Sequence, residues 1–371
     1  MTKKPEYLLI DTEFVREKTY FSKLCLIQVA GPGIEPHYID PLDKSTDLAP
    51  LIAMLKDKDI VKVLHSGYQD MEIFYHLMNG EVPSPVFDTQ IAASALGYGE
   101  QVSYANLVKD ICDVEISKSQ QFTDWSIRPL SQAQIDYALG DVIYLDKIYH
   151  VLRDKLAERG RDKWVIEDFD RLADPETYAP KPMLAYEKIK MRSDKPKHLG
   201  VLREVAAWRE TEAMRRDMPK SFIARDDSLM EIAMTMPTDK TALSRVRGFP
   251  ASQIDKPFGK AMLDAVHKVL AMDAKDLPKR ERKRSLPSSK MAVLEMLRLL
   301  LKIEAAQNDM TPSRIADKDE LEEIILHGEK ADVPAMHGWR YEIFGSKCTK
   351  LMSGESGLFI KNGKIELKNV K

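Results

Sequence analysis

The sequence predicts an α/β domain with a mixed sheet, followed by two small all-α domains. Before about residue 170, short apolar runs alternate with segments of helical periodicity. Beyond residue 196 the chain contains a divergent internal repeat, and both copies have helical patterns. The length of 371 residues is enough for two or three domains of about 100 to 200 residues each.

The α/β region contains four strand-like runs and five helical segments. The strands are expected at Tyr7–Phe14, Leu24–Ala30, Pro36–Asp40 and Ile60–Leu64. The helices are expected over residues 47–56, 66–78, 89–96, 104–110 and 131–158, the last with a capping box at its start. Only nine residues separate the first two strands. A parallel crossover needs more, so we expect an antiparallel pair.

The second half of the chain carries a repeat with a period of 92 residues. Residues 201–232 align without gaps on residues 293–324 and share 13 identities, against about two expected by chance. Each copy predicts a long helix, a loop, a second helix and a helical hairpin containing glycine. The predicted domains are 1–173 (α/β), 174–196 (Pro-rich linker), 197–273 (first helical domain), 274–290 (basic linker) and 291–371 (second helical domain).

Charge is distributed unevenly, although the net charge of the chain is only −2. Residues 1–180 carry −11, residues 181–290 carry +10 and residues 291–371 carry −1. This pattern predicts a carboxylate-rich site beside a polyanion-binding module, unless the basic segment is only a solvated face. No apolar stretch approaches the roughly 20 residues needed to span a bilayer, and no secretory signal is visible. We therefore expect a soluble, cytoplasmic protein without membrane association.

Two carboxylates lie on the first predicted strand, in Leu8-Leu-Ile-Asp-Thr-Glu-Phe14. Side chains alternate between the two faces of a strand, so Asp11 and Glu13 point to the same side as Leu9. Paired anions in a strand this apolar require a cation. The alternative is an edge strand with one solvated face.

A third carboxylate follows the fourth predicted strand. In the segment 61–77, Ser66 is the expected N-cap of a helix, and Asp70 lies on an apolar stripe with Ile73 and Phe74. An aspartate on the buried face of a helix requires a partner. That partner is either a lysine or arginine, in a buried ion pair, or a bound cation.

The helix predicted at residues 131–158 supplies the last two candidates. Tyr137 and Asp141 lie beside its apolar stripe. Residues at i and i+4 are about 6 Å apart along a helix axis, so these two side chains project together. Taken alone, such a pair on a helix is more often a structural contact than part of a catalytic site.

A compact α/β domain would bring the three segments together and surround one site with four carboxylates, Asp11, Glu13, Asp70 and Asp141. Ligands that are all oxygen suit Mg²⁺ or Mn²⁺, and four acids can hold two such ions about 3.5–4 Å apart. The three cysteines are too dispersed for a zinc site. The expected chemistry is two-metal phosphoryl transfer, with the Tyr137 hydroxyl orienting the attacking water.

The same segments resemble a known family. Asp11-Thr-Glu13, His65-Ser-Gly-Tyr-Gln-Asp70 and Tyr137-Ala-Leu-Gly-Asp141 resemble the three exonuclease motifs of the DEDD superfamily, in its tyrosine subclass. Leu24-Cys-Leu-Ile-Gln28, Phe87-Asp-Thr89 and Asp124-Trp-Ser-Ile-Arg-Pro-Leu130 resemble segments of the ribonuclease D family. Residues 201–271 resemble the HRDC domain shared by RecQ-type helicases and ribonuclease D. The second copy resembles a more divergent HRDC domain.

The resemblance implies an RNase H-like exonuclease fold and 3′–5′ exoribonuclease activity on tRNA precursors and other stable RNAs, with RNA as the partner. By family analogy Gln28 and Trp125 line the substrate cleft, although a buried strand amide and a packed indole are the alternatives. Asp88 is expected to cap a helix rather than to be a fifth ligand. The basic residues at the inter-helix loop of the first repeat are candidate RNA contacts: Arg215, Arg216, Lys220 and Arg225.

Two other functions remain as alternatives. The same acids would hydrolyse a DNA backbone, and no motif here senses the 2′-hydroxyl, so a DNA 3′–5′ exonuclease of repair or proofreading is the first. A non-catalytic RNA-binding protein is the second, and the complete set of acids with Tyr137 argues against it. No GxxxxGK[ST] motif occurs, so we expect no ATP-driven activity. We favour a monomer.

Overall fold

The computed structural model describes residues 4–117, 119–280 and 286–370. These residues form two compact units. Among them, the first unit comprises residues 4–13, 24–178 and 286–370, and the second comprises residues 14–23 and 179–280. None of the helices in the described residues combines the length and the apolar character that crossing a membrane requires.

The first unit is built around a five-stranded sheet. Its strands are β1 (Tyr7–Val15), β2 (Lys23–Gly31), β3 (Ile34–Ile39), β4 (Val61–Leu64) and β5 (Val86–Asp88). Their order across the sheet is β3-β2-β1-β4-β5, so β1 is central. β4 runs parallel to β1 and to β5, whereas β3 runs antiparallel to β2. The predicted mixed sheet is confirmed. β5 was not predicted, because a strand of three residues shows no periodicity in the sequence.

Helices cover both faces of this sheet: α1 (Ala49–Lys56), α2 (Tyr68–Leu77), α3 (Thr89–Ala95), α4 (Tyr104–Cys112), α5 (Gln132–Ile143), α6 (Leu145–Glu158) and α7 (Asp162–Leu172). On one face, Leu8 and Ile10 of β1 share a core with Phe74 of α2. On the other face, Leu9 shares a core with Val142 of α5. Both faces of β1 are therefore covered, which rules out the solvated-edge alternative for its two acids.

The single helix predicted at residues 131–158 was wrong, because the structure has two helices. α5 ends at Ile143 and α6 begins at Leu145, with Tyr144 between them. In a continuous helix the N–H of Tyr144 would donate to the carbonyl of Gly140. Here the hydroxyl of Tyr104 donates to that carbonyl, at 3.1 Å. A contact from a distant side chain has no signature in helical periodicity. The predicted capping box at the start of α5 is present.

The second unit is a helical bundle. Its helices are α8 (Pro196–Arg216), α9 (Lys220–Ile223), α10 (Asp226–Thr235), α11 (Lys240–Leu243) and α12 (Pro257–Leu270). Two short 3-10 helices, Pro175–Thr177 and Pro182–Lys188, precede α8 in the chain. Leu202 and Val205 of α8 share a core with Ile232 of α10 and Val266 of α12. The long helix α8 is thus the centre of the bundle.

Residues 291–353 are helical and belong to the first unit. Their helices are α13 (Met291–Gln307), α14 (Pro312–Ile315), α15 (Lys318–His327), α16 (Gly338–Arg340) and α17 (Ser346–Ser353), with a π-helical turn at Tyr341–Gly345. The bounds of α14 and α15 are those of α9 and α10 shifted by the repeat period. Trp339 stacks on Trp164 of α7 with ring centroids 4.5 Å apart. Arg314 pairs with Asp168 of α7 at 2.6 Å. The region therefore packs on α7 of the same unit.

The prediction that residues 291–371 are all helical was wrong at their end. β6 (Ser356–Lys361) and β7 (Lys364–Asn369) form an antiparallel hairpin. Asn362 and Gly363 join them with φ of 52° and 74°, as a two-residue type I′ turn requires. Asn-Gly between two strand-like runs is a hairpin signal that the helical interpretation overlooked. The basic linker predicted at residues 274–290 includes residues 281–285, which lie outside the described residues.

Candidate active site

β1 presents two acids in the second half of its length. Asp11 and Glu13 follow Leu9 at alternate positions, so they share its face of the sheet, and both are partly buried. Thr12 lies between them on the opposite face. β4 runs parallel to β1, with Val63 opposite Leu9. Asp11 and Glu13 therefore lie on β1 just beyond the residues that pair with β4, toward the carboxyl ends of these parallel strands, where α/β sheets commonly place their sites.

Asp70 approaches from the other face of the sheet, on α2. Its side chain is 7% exposed, and the hydroxyl of Thr12 donates to its Oδ1 at 2.5 Å. The described residues include no lysine or arginine paired with Asp70, so the buried ion pair considered from the sequence is not supported. Thr12 was not identified from the sequence, because a threonine between two acids does not reveal its partner. It is the side chain that fixes Asp70.

The start of α2 differs from the prediction. Ser66 is not its N-cap: this residue has a left-handed φ of 57°, and α2 follows Gly67 without a side-chain cap. Asp88, at the end of β5, accepts instead from the N–H of Gly67 at 2.8 Å. Its other oxygen accepts from Gln90 and Ile91 at the start of α3. Asp88 is therefore the N-cap of α3, as the sequence predicted. It also accepts a hydrogen bond from the residue that precedes α2.

α5 brings Asp141 to the acids of β1. One carboxylate oxygen from each of Asp11, Glu13 and Asp141 lies within 4.8 Å of the other two. Tyr137 precedes Asp141 by about one helical turn. Burial, and then the charges of Asp141, Glu13 and Asp11, raise the pKa of the Tyr137 phenol. Its hydroxyl is therefore protonated at neutral pH, suited to hydrogen bonding rather than to proton abstraction.

Without a cation the clustered carboxylates repel one another. Burial, and then the charges of Asp141 and Asp70, raise the pKa of Glu13 to about 9. Burial, and then the charge of Asp70, raise the pKa of Asp141 to about 7. Burial raises the pKa of Asp70 to about 6, against the opposing hydrogen bond from Thr12. Burial, and then Asp141, raise the pKa of Asp11 well above its usual range. A divalent cation would relieve this repulsion.

The donor set fits a hard divalent ion, which accepts carboxylate oxygens as ligands. The part of the chain that the structure describes contains one cluster of three side chains close enough to share a metal ion, formed by Asp11, Glu13 and Asp141. Asp70 lies outside that group of three. Its charge nevertheless raises the pKa of each of the others. It is therefore close enough to contribute to the field that attracts a cation.

A buried amide lies on the same face of the sheet as Asp11. Gln28 of β2 is fully buried. Its neighbours Ile27 and Val29 pack in the core shared by Leu8, so Gln28 faces the opposite side. Neither of its amide atoms has a hydrogen-bond partner within the described residues. An unpaired buried amide is costly, and a substrate group reaching it would satisfy it.

The loop before α5 supplies an indole next to Tyr137. Trp125 is 2% exposed, and its ring centroid lies 6.0 Å from that of Tyr137. Its N–H also lacks a partner among the described residues. Arg128 holds this loop: it donates to the Trp125 carbonyl at 2.8 Å and to both oxygens of Asp40, at 2.6 and 2.8 Å. This role of Arg128 has no signature in the sequence, because its partner Asp40 is distant in the chain.

The four basic candidates belong to the second unit. Arg215 and Arg216 bond to Glu212, one turn earlier on α8. Lys220 lies 3.4 Å from Glu210. Arg225 immediately precedes α10, and with Lys220 it lines a cavity of about 440 Å³. Their acidic partners on α8 reduce the net positive potential of this cluster.

Comparison with known proteins matches both parts of the chain. The family described as 3′–5′ exonuclease matches residues 1–157, and the HRDC domain matches residues 198–266. The ribonuclease D of Bartonella henselae is 40% identical over 98% of this chain and 89% of its own length. That of Zymomonas mobilis is 39% identical over 98% of this chain and 93% of its own. The crystal structure of Escherichia coli RNase D is similar with a TM-score of 0.77 and 29% identity, covering 94% of this chain and 93% of that one.

Proposed function

The chain belongs to the ribonuclease D family and is a 3′–5′ exoribonuclease, and from this premise we propose that it trims the 3′ ends of tRNA precursors and other structured RNAs. The observation that carries the proposal is the cluster of Asp11, Glu13 and Asp141, with Tyr137 one turn away. The similar Escherichia coli protein is described as an exoribonuclease involved in structured RNA processing. That likeness supports the substrate class.

Family membership implies the use of divalent metal, and we assign two ions, Mg²⁺ or Mn²⁺, to the four acids Asp11, Glu13, Asp70 and Asp141. The assignment is supported by the all-oxygen donor set and by the raised pKa values of the acids. When bound, such ions supply a hydroxide nucleophile at neutral pH and neutralise the leaving 3′-oxygen, so the product is a nucleoside 5′-monophosphate. The chain's own contribution is to hold the carboxylates together in a partly buried site.

Tyr137 acts on the attacking water. Its raised pKa keeps the hydroxyl protonated, so we assign it the role of orienting the water by a hydrogen bond. A positioned hydrogen-bonding group of this kind contributes typically 10²- to 10⁴-fold to a rate. Removing a proton would require a phenolate, which the neighbouring carboxylates disfavour.

Gln28 and Trp125 are assigned to the substrate. Their unpaired amide and indole N–H groups offer donors and an acceptor, on the sheet face that carries Asp11 for Gln28 and next to the Tyr137 ring for Trp125. A nucleotide presents phosphate, sugar and base atoms that match these groups. The indole also borders the Tyr137 ring, which would place it against the 3′-terminal residue of the RNA.

The helical regions would hold the rest of the RNA. Residues 181–290 carry a net charge of +10, which supports an RNA-binding role for the HRDC domain and for its residues Arg215, Arg216, Lys220 and Arg225. We infer that residues 291–353 are a second, divergent HRDC-like copy. The helix bounds that recur at the repeat period support this inference.

The full-length protein incubated with linear RNA labelled at the 3′ or the 5′ end tests the proposal. We expect Mg²⁺-dependent release of 5′-monophosphates from the 3′ end, inhibition by EDTA, and little cleavage of the matching DNA. Asp11→Asn, Glu13→Gln, Asp70→Asn and Asp141→Asn are each expected to be inactive. Asp136→Asn is the matched control, because Asp136 is an exposed acid on α5 next to Tyr137. Cutting of circular RNA, 3′-phosphate products, or equal turnover of DNA would contradict the proposal.

A further inference from the structure

The break between α5 and α6 is held by a side chain from another helix. The hydroxyl of Tyr104, on α4, donates to the carbonyl of Gly140 at 3.1 Å. In a regular helix that carbonyl would accept instead from the backbone N–H of Tyr144. The Tyr104 hydroxyl therefore replaces one bond of the helical ladder. Insertion of a side chain into the ladder is a recognised cause of helix kinks.

The two helices on either side of the break pack on different partners. α5 packs against β3, whereas α6 packs against α3, α4 and β4. α5 carries Tyr137 and Asp141, and Asp141 directly follows the carbonyl that Tyr104 holds. α6 carries the core residues Leu152 and Leu156. Because of the break, the direction of α5, which carries Tyr137 and Asp141, is not fixed by the direction of α6, which packs in the core.

Tyr104 is itself firmly placed beside the site. It is the first residue of α4, whose N-cap Ser103 accepts from the backbone of Asn106. Its ring centroid lies 5.5 Å from that of His65. Burial, and then the charges of Asp141 and Asp11, raise the pKa of its phenol, so its hydroxyl lies near both acids. Its proton is committed to the Gly140 carbonyl.

We propose that Tyr104 is a positioning residue for the exonuclease reaction, whose hydroxyl maintains the break in the helix that aims Tyr137 and Asp141 at Asp11 and Glu13. This inference rests on the proposed function, because it requires that Tyr137 and Asp141 belong to the active site. Tyr104 acts through α5 and is not assigned a contact with RNA.

Tyr104→Phe is the direct test. It keeps the ring and its contact with His65, and it allows Tyr144 and Gly140 to pair with each other, so the protein should remain folded. A helix straightened at this point would shift Asp141. Because misplacement by about 1 Å can cost on the order of 10²-fold in rate, we expect kcat to fall by about tenfold or more, with KM for a short RNA changed by less than about twofold. Mn²⁺ affinity, measured by calorimetry without RNA, should also fall.

Two further variants make the test specific. Tyr98→Phe is the matched control, because Tyr98 accepts from Lys155 of α6 at 2.5 Å and lies in the same core, and we expect wild-type kcat and Mn²⁺ affinity. Replacing Tyr104 with p-aminophenylalanine restores a donor at the same position and should restore kcat. Wild-type kcat and Mn²⁺ affinity in Tyr104→Phe would overturn the positioning role. So would an equal loss in Tyr98→Phe, or failure of the amino analogue to restore activity in folded protein.

The experiment separates this inference from the proposed function. If Asp141→Asn is inactive while Tyr104→Phe behaves as wild type, only the positioning role fails. If Asp141→Asn retains wild-type turnover, the site assignment fails and the role of Tyr104 fails with it.

Discussion

Neutralising Asp141 should stabilise the metal-free protein while abolishing its activity. The pKa of Asp141 rises from the usual 3.8 to about 7 through burial and the charge of Asp70. Each pKa unit corresponds to about 1.36 kcal/mol, so the ionised carboxylate destabilises the folded, metal-free state by at most about 4 kcal/mol. Since the folded pKa is the higher one, this cost is absent below about pH 4, grows as the pH rises toward 7, and is constant above that value. Asp141→Asn has no such cost at any pH.

Thermal unfolding at about pH 4.5 and about pH 8, with EDTA or with Mg²⁺, measures the effect. In EDTA we expect Asp141→Asn to have a higher Tm than the wild type at the higher pH, and a much smaller difference at the lower pH, where most of the cost is absent. Mg²⁺ should raise the Tm of the wild type more than that of the variant, because a ligand stabilises only the state that binds it. Asp136→Asn should match the wild type in all four conditions. A lower Tm for Asp141→Asn in EDTA at the higher pH would refute the reasoning, because it would show that the carboxylate is held by a structural partner.

Three further predictions concern other parts of the chain. Tyr137→Phe should lower kcat by on the order of 10²-fold with little change in RNA affinity; an unchanged kcat in a steady-state assay would show that the hydroxyl is not needed to place the water. Asp88→Ala should lower the free energy of unfolding by about 2–4 kcal/mol, because it removes a helix cap and leaves a buried N–H of Gly67 unpaired. Mn²⁺ affinity should stay at the wild-type value in that variant, and a large loss by calorimetry would make Asp88 a ligand instead. Alanine at all four basic candidates should flatten the slope of log K against log salt for a tRNA-sized ligand by about 1 to 3, since each phosphate contact contributes about 0.7–0.9. An unchanged slope in fluorescence anisotropy would exclude them as phosphate contacts. Those candidates are Arg215, Arg216, Lys220 and Arg225.

The prediction of the fold succeeded where the signal was local and failed where a partner was distant. Alternation within β1 and the capping box of α5 depend on residues close in sequence, and both are present. The continuous helix over residues 131–158 fails at Tyr144, because Tyr104, 40 residues earlier, supplies the competing hydrogen bond. Ser66 fails as a cap for the same reason, since Asp88 reaches the start of α2 from the end of another strand.

The sequence alone determined which side chains of the candidate site share a face of their strand or helix. Asp11 and Glu13 had to share a face because strand geometry has a period of two, and Tyr137 and Asp141 had to project together because helix geometry has a period of 3.6. Only the tertiary structure decided that carboxylate oxygens of Asp11, Glu13 and Asp141 approach within 4.8 Å of one another. It also decided that Asp70 is held by the Thr12 hydroxyl and not by a lysine or arginine, and that the Tyr104 hydroxyl bonds to the backbone where the helix carrying Asp141 ends. Periodicity encodes which way a side chain points, whereas its partner across the fold depends on how elements distant in sequence pack together.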